Sequence, residues 1–240
     1  MPVFEAGPVR LLYEERGDGP AILLLAPGGL RASRAETWAN APWSPIDALA
    51  DRYRVVAMDQ RNTGTSFAPI TADDGWPAYA GDQLALMDHL GIDRFAVVGM
   101  CIGGAFIMEL IEEAPERITA AVLMQPIGQV ANRDRFRMMF DEWRSNIGGD
   151  HPEAADDDWE GTWSNLFGGD QLLWSVPDSF LVTVTTPLLV LQGDDAFHPK
   201  EASQQLAALA PRATLVEQWK HPDDQPGARA AMDDFLAAHA

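Results

Sequence analysis

The chain has 240 residues, 47% of them hydrophobic, and carries 36 acidic against 17 basic side chains for a formal charge of −19. Nucleic acids and anionic membranes are held by clustered Lys and Arg, so an acidic balance of this size excludes both as expected partners. One cysteine excludes an internal disulfide, no apolar run approaches the about 18 residues of a bilayer span, and the opening MPVFEAGPVRLLYEERGDG lacks the basic-then-apolar pattern of a signal peptide, so a soluble cytoplasmic protein is expected.

In chain order, VRLLYEERGDGPAILLLAPGG predicts a short strand, a turn rich in Gly and Pro over Arg16 to Pro20, and a continuous apolar strand over 21–25. Apolar runs of this length closed by glycine are the signature of strands buried on both faces. PIDALADR predicts a short helix and YRVVAMD a second buried strand. After the loop QRNTGTSFAP, the stretch PAYAGDQLALMDHLGI has apolar residues at helical spacing and stops at Gly91. RFAVVG, GGAFIMELIEEAPERI and TAAVLMQP continue as strand, helix and strand. From 127 to 186 the alternation breaks, and this segment holds Trp143, Trp159, Trp163 and Trp174, four of the eight tryptophans. It then resumes with TPLLVLQGDD, PKEASQQLAALA, ATLVEQW and PGARAAMDDFLAAH as strand, helix, strand and helix. Alternating strands and helices predict an α/β fold: a doubly wound, mostly parallel sheet in one domain of 1–240, with 127–186 as a short helical cap inserted within it.

The residues suited to chemistry fall at the ends of these strands, where doubly wound sheets bind ligands. In FAVVGMCIGGA, Gly99, Cys101 and Gly103 have the spacing of a nucleophile elbow, a strand-to-helix turn too tight for side chains two residues either side of the nucleophile. The start of a helix just after Cys101 favours its thiolate. A small cysteine among glycines also suits plain packing. Its company favours chemistry: Asp194 and Asp195 end the strand LLVLQG, and His221 lies 26 residues beyond Asp195, between the last strand and the last helix. Nucleophile, acid and histidine in that order can form a triad, with Asp194 or Asp195 as the acid. His198, in DDAFHP, is the competing histidine and a candidate for the pocket rim.

The phrases YEERGDGPAILLLAPGG, YRVVAMDQRNTGTS, VVGMCIGG, PERITAAVLMQP, TPLLVLQGDDAFHP and MDDFLAAH together resemble the α/β-hydrolase superfamily over nearly the whole chain, and the elbow GMCIGG resembles that of the dienelactone hydrolases, which use cysteine. The resemblance implies Cys101 as nucleophile, His221 as base, Asp195 as the acid, and an oxyanion hole from the N–H groups of Gly28 (or Gly29) and Ile102. The chain departs from the family's usual residues at Ala26 and Pro27, where His-Gly is common, at Asn62 within the family's DxRGxGxS pattern, and at Lys220, which stands where a glycine commonly precedes the histidine.

Most aromatic residues of the inserted segment are expected to pack its core, with Trp143 and Trp163 as candidates for a pocket shared with Gly29 and His198. The expected activity is hydrolysis of an ester, lactone or thioester of small-molecule size through an acyl-enzyme, with no cofactor and no metal implied. Carbon–carbon bond hydrolysis, acyl transfer to another acceptor, and a non-catalytic binder with a reactive thiol are the alternatives. An aromatic patch in the cap is equally compatible with a homodimer contact.

Overall fold

The computed structural model describes residues 1–33, 38 and 41–240. It opens with two strands, β1 (Val3–Ala6) and β2 (Val9–Arg16), followed by β3 (Ala21–Leu25), α1 (Pro45–Leu49), β4 (Arg54–Met58) and α2 (Trp76–His89). Next come β5 (Phe95–Met100), α3 (Gly103–Glu113) and β6 (Ile118–Met124), then the helices α4 (Arg133–Ile147), α5 (Asp156–Phe167) and α6 (Asp178–Leu181). The chain closes with β7 (Leu188–Leu191), α7 (Lys200–Leu209), β8 (Ala213–Val216) and α8 (Gln225–His239).

The strands form one sheet in the order β1-β2-β4-β3-β5-β6-β7-β8. It is antiparallel across β1, β2 and β4 and parallel from β4 to β8. The mostly parallel, doubly wound sheet expected from the alternation is thus present. β1, in which Phe4 is the one buried residue, leaves no pattern in the sequence, because an edge strand of four residues has too little buried surface.

Alternate side chains serve opposite faces of the sheet. Leu23, Leu25 and Val97 join one apolar layer with Leu86 and Met87 of α2 and Phe106 and Leu110 of α3. Ile22, Leu24, Ala96 and Val98 join the other with Leu49 of α1 and Met232 and Leu236 of α8. Burial on both faces is why these strands read as unbroken apolar runs.

From β3 the chain steps to β4 on one side and then crosses to β5 on the other side of β3. The loops leaving β3 and β5 therefore part company at the carboxyl ends of two adjacent strands, which opens a crevice there. The loop after β4 braces one wall of it. Arg61, buried, donates to Asp82 through Nε at 2.8 Å and Nη2 at 3.0 Å and to Asp74 through Nη1 at 2.7 Å. Thr63 Oγ1 donates to the Leu30 carbonyl at 3.0 Å, tying this loop to the turn after β3.

On the other wall, β5 gives way to α3 through Cys101, whose φ is 61°. The closeness of the turn dictates its glycines. A Cβ on Gly99 would lie 2.8 Å from the Gly103 carbonyl oxygen, and one on Gly103 would lie 2.7 Å from the Leu25 carbonyl oxygen on β3. Both obstacles are backbone, which cannot swing aside. Gly103→Ala is therefore expected to lower the unfolding free energy by about 1–3 kcal/mol, the usual cost of overpacking; urea denaturation followed by tryptophan fluorescence measures it.

Candidate active site

Cys101 occupies the crevice floor. Its N–H donates to the Met124 carbonyl at 3.0 Å, and its carbonyl accepts from Gly104 at 3.0 Å and Ile127 at 3.2 Å, so its backbone is bonded on both sides. A left-handed conformation at a residue with a side chain costs on the order of 1–2 kcal/mol and persists where the surroundings determine it, as these bonds do. Cys101 lines a cavity of about 210 Å³.

Opposite the thiol stands His198, from the loop between β7 and α7. His221, expected in this place from chain order, stands elsewhere. His221 is 68% exposed, its Nδ1 lies 3.6 Å from Asp223, and it does not line the cavity. The cause is the course of the chain after β8. Trp219 is buried and donates to the Gln192 carbonyl at 2.7 Å, Lys220 pairs with Asp194, and the His221 carbonyl then accepts from Asp224 and Gln225 at the start of α8. The peptide turns outward at His221, and the imidazole goes with it.

His198 sits three residues after Asp195 on one tight turn. Asp195 Oδ1 accepts from the backbone N–H of Phe197 at 2.9 Å and of His198 at 3.0 Å, and both carboxylate oxygens lie 2.8 Å from His198 Nδ1. These bonds hold the Asp195 carboxyl well below the usual carboxylate range, led by the one to His198. With Nδ1 engaged, Nε2 is the nitrogen left for the thiol. It is buried and makes no hydrogen bond of good geometry, yet the ring is near enough to Cys101 that each group shifts the other's proton affinity. Asp194, the alternative acid, is taken up by Lys220.

Three further groups fix this turn. Asn132, just before α4, donates through Nδ2 to the carbonyls of Ala196 and Gly128, both at 2.9 Å. Gly128 N–H donates to the Phe197 carbonyl at 3.3 Å, and the buried Ser203 hydroxyl accepts from Gly193 N–H at 3.1 Å. Nothing in the sequence marked Asn132 or Ser203, because such bridges depend on which loops the fold brings together.

The electrostatics favour charge separation. Burial pushes the Cys101 thiol up, but the nearby imidazole of His198, with the backbone N–H groups of Gly28 and Gly29, brings it below its ordinary value. Burial pushes His198 down, and Asp195 and Cys101 outweigh it and raise the imidazole to about 9. Both shifts lean toward the thiolate–imidazolium pair relative to a free cysteine and histidine. Gly28 and Gly29 both have positive φ, 118° and 62°, which turns their N–H groups toward the sulfur.

Gly28, Gly29, Ile102 and His198, all expected near the site, line the cavity, together with Arg31, Ile127, Phe136, Met139 and Phe197. Trp143 and Trp163, expected as pocket walls, do not. Trp143 is buried against Phe140 and Trp159, and Trp163 packs on Phe140, Phe167 and the Arg137 guanidinium. Helix α4 instead offers Phe136 and Met139, one turn apart on the face that the cavity meets. Among the described residues no group of His, Cys, Asp and Glu is arranged to hold a metal, and no helix is long and apolar enough to cross a membrane.

Comparison with known proteins is consistent with this architecture. A match to the alpha/beta hydrolase fold family spans residues 21–168. The chain belongs to this family. Over 120 residues, half of this α/β-hydrolase chain, it is 32% identical to the dihydrolipoyllysine-residue acetyltransferase component of the acetoin cleaving system of Cupriavidus necator. Over 117 residues, 48% of the chain, it is 33% identical to the 2-hydroxy-6-oxo-6-phenylhexa-2,4-dienoate hydrolase of Comamonas testosteroni. The matches cover 30% and 40% of those two proteins, well under half of their length. In three dimensions the chain superimposes on the enol-lactonase of Burkholderia xenovorans LB400 over 98% of its own length and 100% of the other, with a TM-score of 0.71 at 23% identity. That likeness is one of fold.

Because His198 supplies the strongest influences holding the thiol down, alkylation of Cys101 by iodoacetamide is expected to persist below the ordinary thiol range as pH falls. In His198→Ala the midpoint of the alkylation-rate profile moves up in pH.

Proposed function

We propose that the protein is a hydrolase of small esters, lactones or thioesters that works through an acyl-enzyme on Cys101. The observation that carries this reading is the run of contacts Asp195–His198–Cys101 beneath the N–H groups of Gly28 and Gly29.

The Cys101 thiolate attacks the carbonyl carbon, a C–S bond forms, and the carbonyl electron pair moves onto oxygen. The N–H groups of Gly28 and Gly29, which face the sulfur in the resting state, then face the new oxyanion, together with the N–H of Ile102. As the tetrahedral intermediate collapses, the bond to the leaving oxygen or sulfur breaks, and that atom takes the Nε2 proton of His198. Neutral His198 next removes a proton from water, whose oxygen attacks the thioester; the C–S bond breaks, and thiolate and imidazolium are restored. Asp195 stays ionised throughout and keeps Nδ1 protonated and the ring in place. Phe136, Met139, Ile127 and Phe197 supply an apolar wall, and α4 contributes two of these residues, which gives the inserted segment the role of a cap.

A second reading draws on the Comamonas testosteroni relative, whose 6-oxo dienoate substrate is a ketone. Hydrolysis at a ketone breaks a carbon–carbon bond, and the same nucleophile and oxyanion donors would serve it. Product analysis separates the two, since ester cleavage yields an acid and an alcohol and ketone cleavage yields an acid and a carbon-bound hydrogen.

With a p-nitrophenyl short-chain ester, Cys101→Ala and His198→Ala are expected to lower kcat/KM by about 10³-fold or more. His221→Ala should stay within about twofold, as a substitution at an exposed site does. Full loss in His221→Ala with His198→Ala active would reverse the assignment. The reactive pair needs a deprotonated thiol and a protonated imidazole, so kcat/KM should rise through the lowered thiol pKa and fall as His198 loses its proton near about 9. In Cys101→Ser the hydroxyl needs neutral His198 as base, so the alkaline fall should give way to a rise.

A further inference from the structure

Resting on the acyl-transfer reading, we propose that Arg31 makes this a site for monoanionic substrates: a short apolar ester or lactone bearing a carboxylate that the guanidinium binds while its carbonyl meets Cys101. Arg31 is the one Lys or Arg side chain among the described residues that line the cavity. It closes the short 3-10 turn Gly29–Arg31, so the cation and the N–H groups of Gly28 and Gly29 ride on one stretch of backbone. The Thr63 hydroxyl, bonded to the Leu30 carbonyl, holds that stretch in place. Carbonyl-binding and cation groups are thereby set in one register on the same turn, with the apolar side chains of Ile127, Phe136, Met139 and Phe197 completing the cavity.

Charge and size narrow the ligand further. A chain of net charge −19 repels anions as a whole, so an anionic substrate depends on a local cation at the pocket. A planar guanidinium suits a carboxylate, which it can grip with two parallel hydrogen bonds. Arg31 is held at present by Glu142 at 3.1 Å, in a pair whose side chains are 56% and 58% exposed. Exposed ion pairs are weak, and a carboxylate arriving through the cavity can take the place of Glu142. A cavity of about 210 Å³ is smaller than the about 300–1,000 Å³ of sites for drug-sized ligands, which suits a substrate of a few carbons.

Cys101 is the chain's single cysteine, so its alkylation reports the local field without any turnover. Iodoacetate and iodoacetamide differ little in size but differ by one negative charge. The ratio of their alkylation rates is expected to fall about tenfold in Arg31→Gln, the scale of one charge-assisted hydrogen bond, and to rise in Glu142→Gln, which frees the guanidinium. His198 attracts iodoacetate in every variant, so a change in the ratio belongs to Arg31. A second arm compares kcat/KM for the mono-p-nitrophenyl ester of glutaric acid with that for p-nitrophenyl valerate, and Arg31→Gln should lower this ratio about tenfold, with Arg31→Lys retaining part of it. Ratios unmoved by Arg31→Gln and Glu142→Gln, with ester turnover through Cys101 intact, would overturn the anion site and leave the acyl-transfer reading standing. A fall in the alkylation ratio with neither ester hydrolysed would sink the acyl-transfer reading and keep the anion site.

Discussion

The backbone turn at Cys101 is the constraint on which the rest of the site depends. A residue with a side chain is held at φ 61° between a fully buried strand and a helix that starts two residues later. The turn closes because glycine at 99 and 103 lets α3 come down on the end of β5 and against β3. Were it wider, the sulfur would lie out of reach of the Gly28 and Gly29 N–H groups and of the imidazole. The strain stored there is small beside the two layers of apolar packing that enforce it.

Electrostatics and packing meet in the turn 195–198. Asp195 and His198 are three residues apart, so one rigid turn positions both relative to the thiol. Asp195 bonds its own turn's backbone as well as the imidazole, and Asn132 fastens that turn to the entrance of α4. The helix that begins there carries Phe136 and Met139 to the cavity and Glu142 to Arg31. The packing of α4 and the placement of His198 are therefore coupled through Asn132. Buried polar groups are costly to desolvate unless they are partnered, and here each meets a partner: the Asp195 carboxylate on the His198 imidazole, and the Cys101 sulfur at the backbone N–H groups of Gly28 and Gly29.

Much of this was legible in the amino-acid order. Ile22 to Leu25 and Phe95 to Val98 are apolar without interruption because both faces of a central strand are covered, and that pattern is local. Gly99, Cys101 and Gly103 were legible because a tight turn imposes composition at fixed offsets. Asp195 was legible as a strand-end carboxylate, although its choice over Asp194 needed the Lys220 pairing. The histidine that faces the thiol was not legible there. His221 occupies the expected place in chain order, but chain order says nothing about the direction of a side chain, and the burial of Trp219 followed by the opening of α8 turns it outward. The spacing of Asp195 and His198 was the available signal, since three residues is the reach of a tight turn.

Trp143 and Trp163 show the same limit from the apolar side: large aromatic residues announce a core, but whether they face a cavity or one another depends on how α4 and α5 meet. Neighbouring residues suffice for the alternation of strands and helices, the two-sided burial of the sheet and the tight turn at Cys101, because each is written locally through periodicity and turn sterics. The tertiary structure alone decided which histidine faces the thiol, which side chains line the cavity and that Arg31 joins them. Those are relations between segments far apart in the chain, set by the crossing at β3 and by the packing of α4 over the crevice.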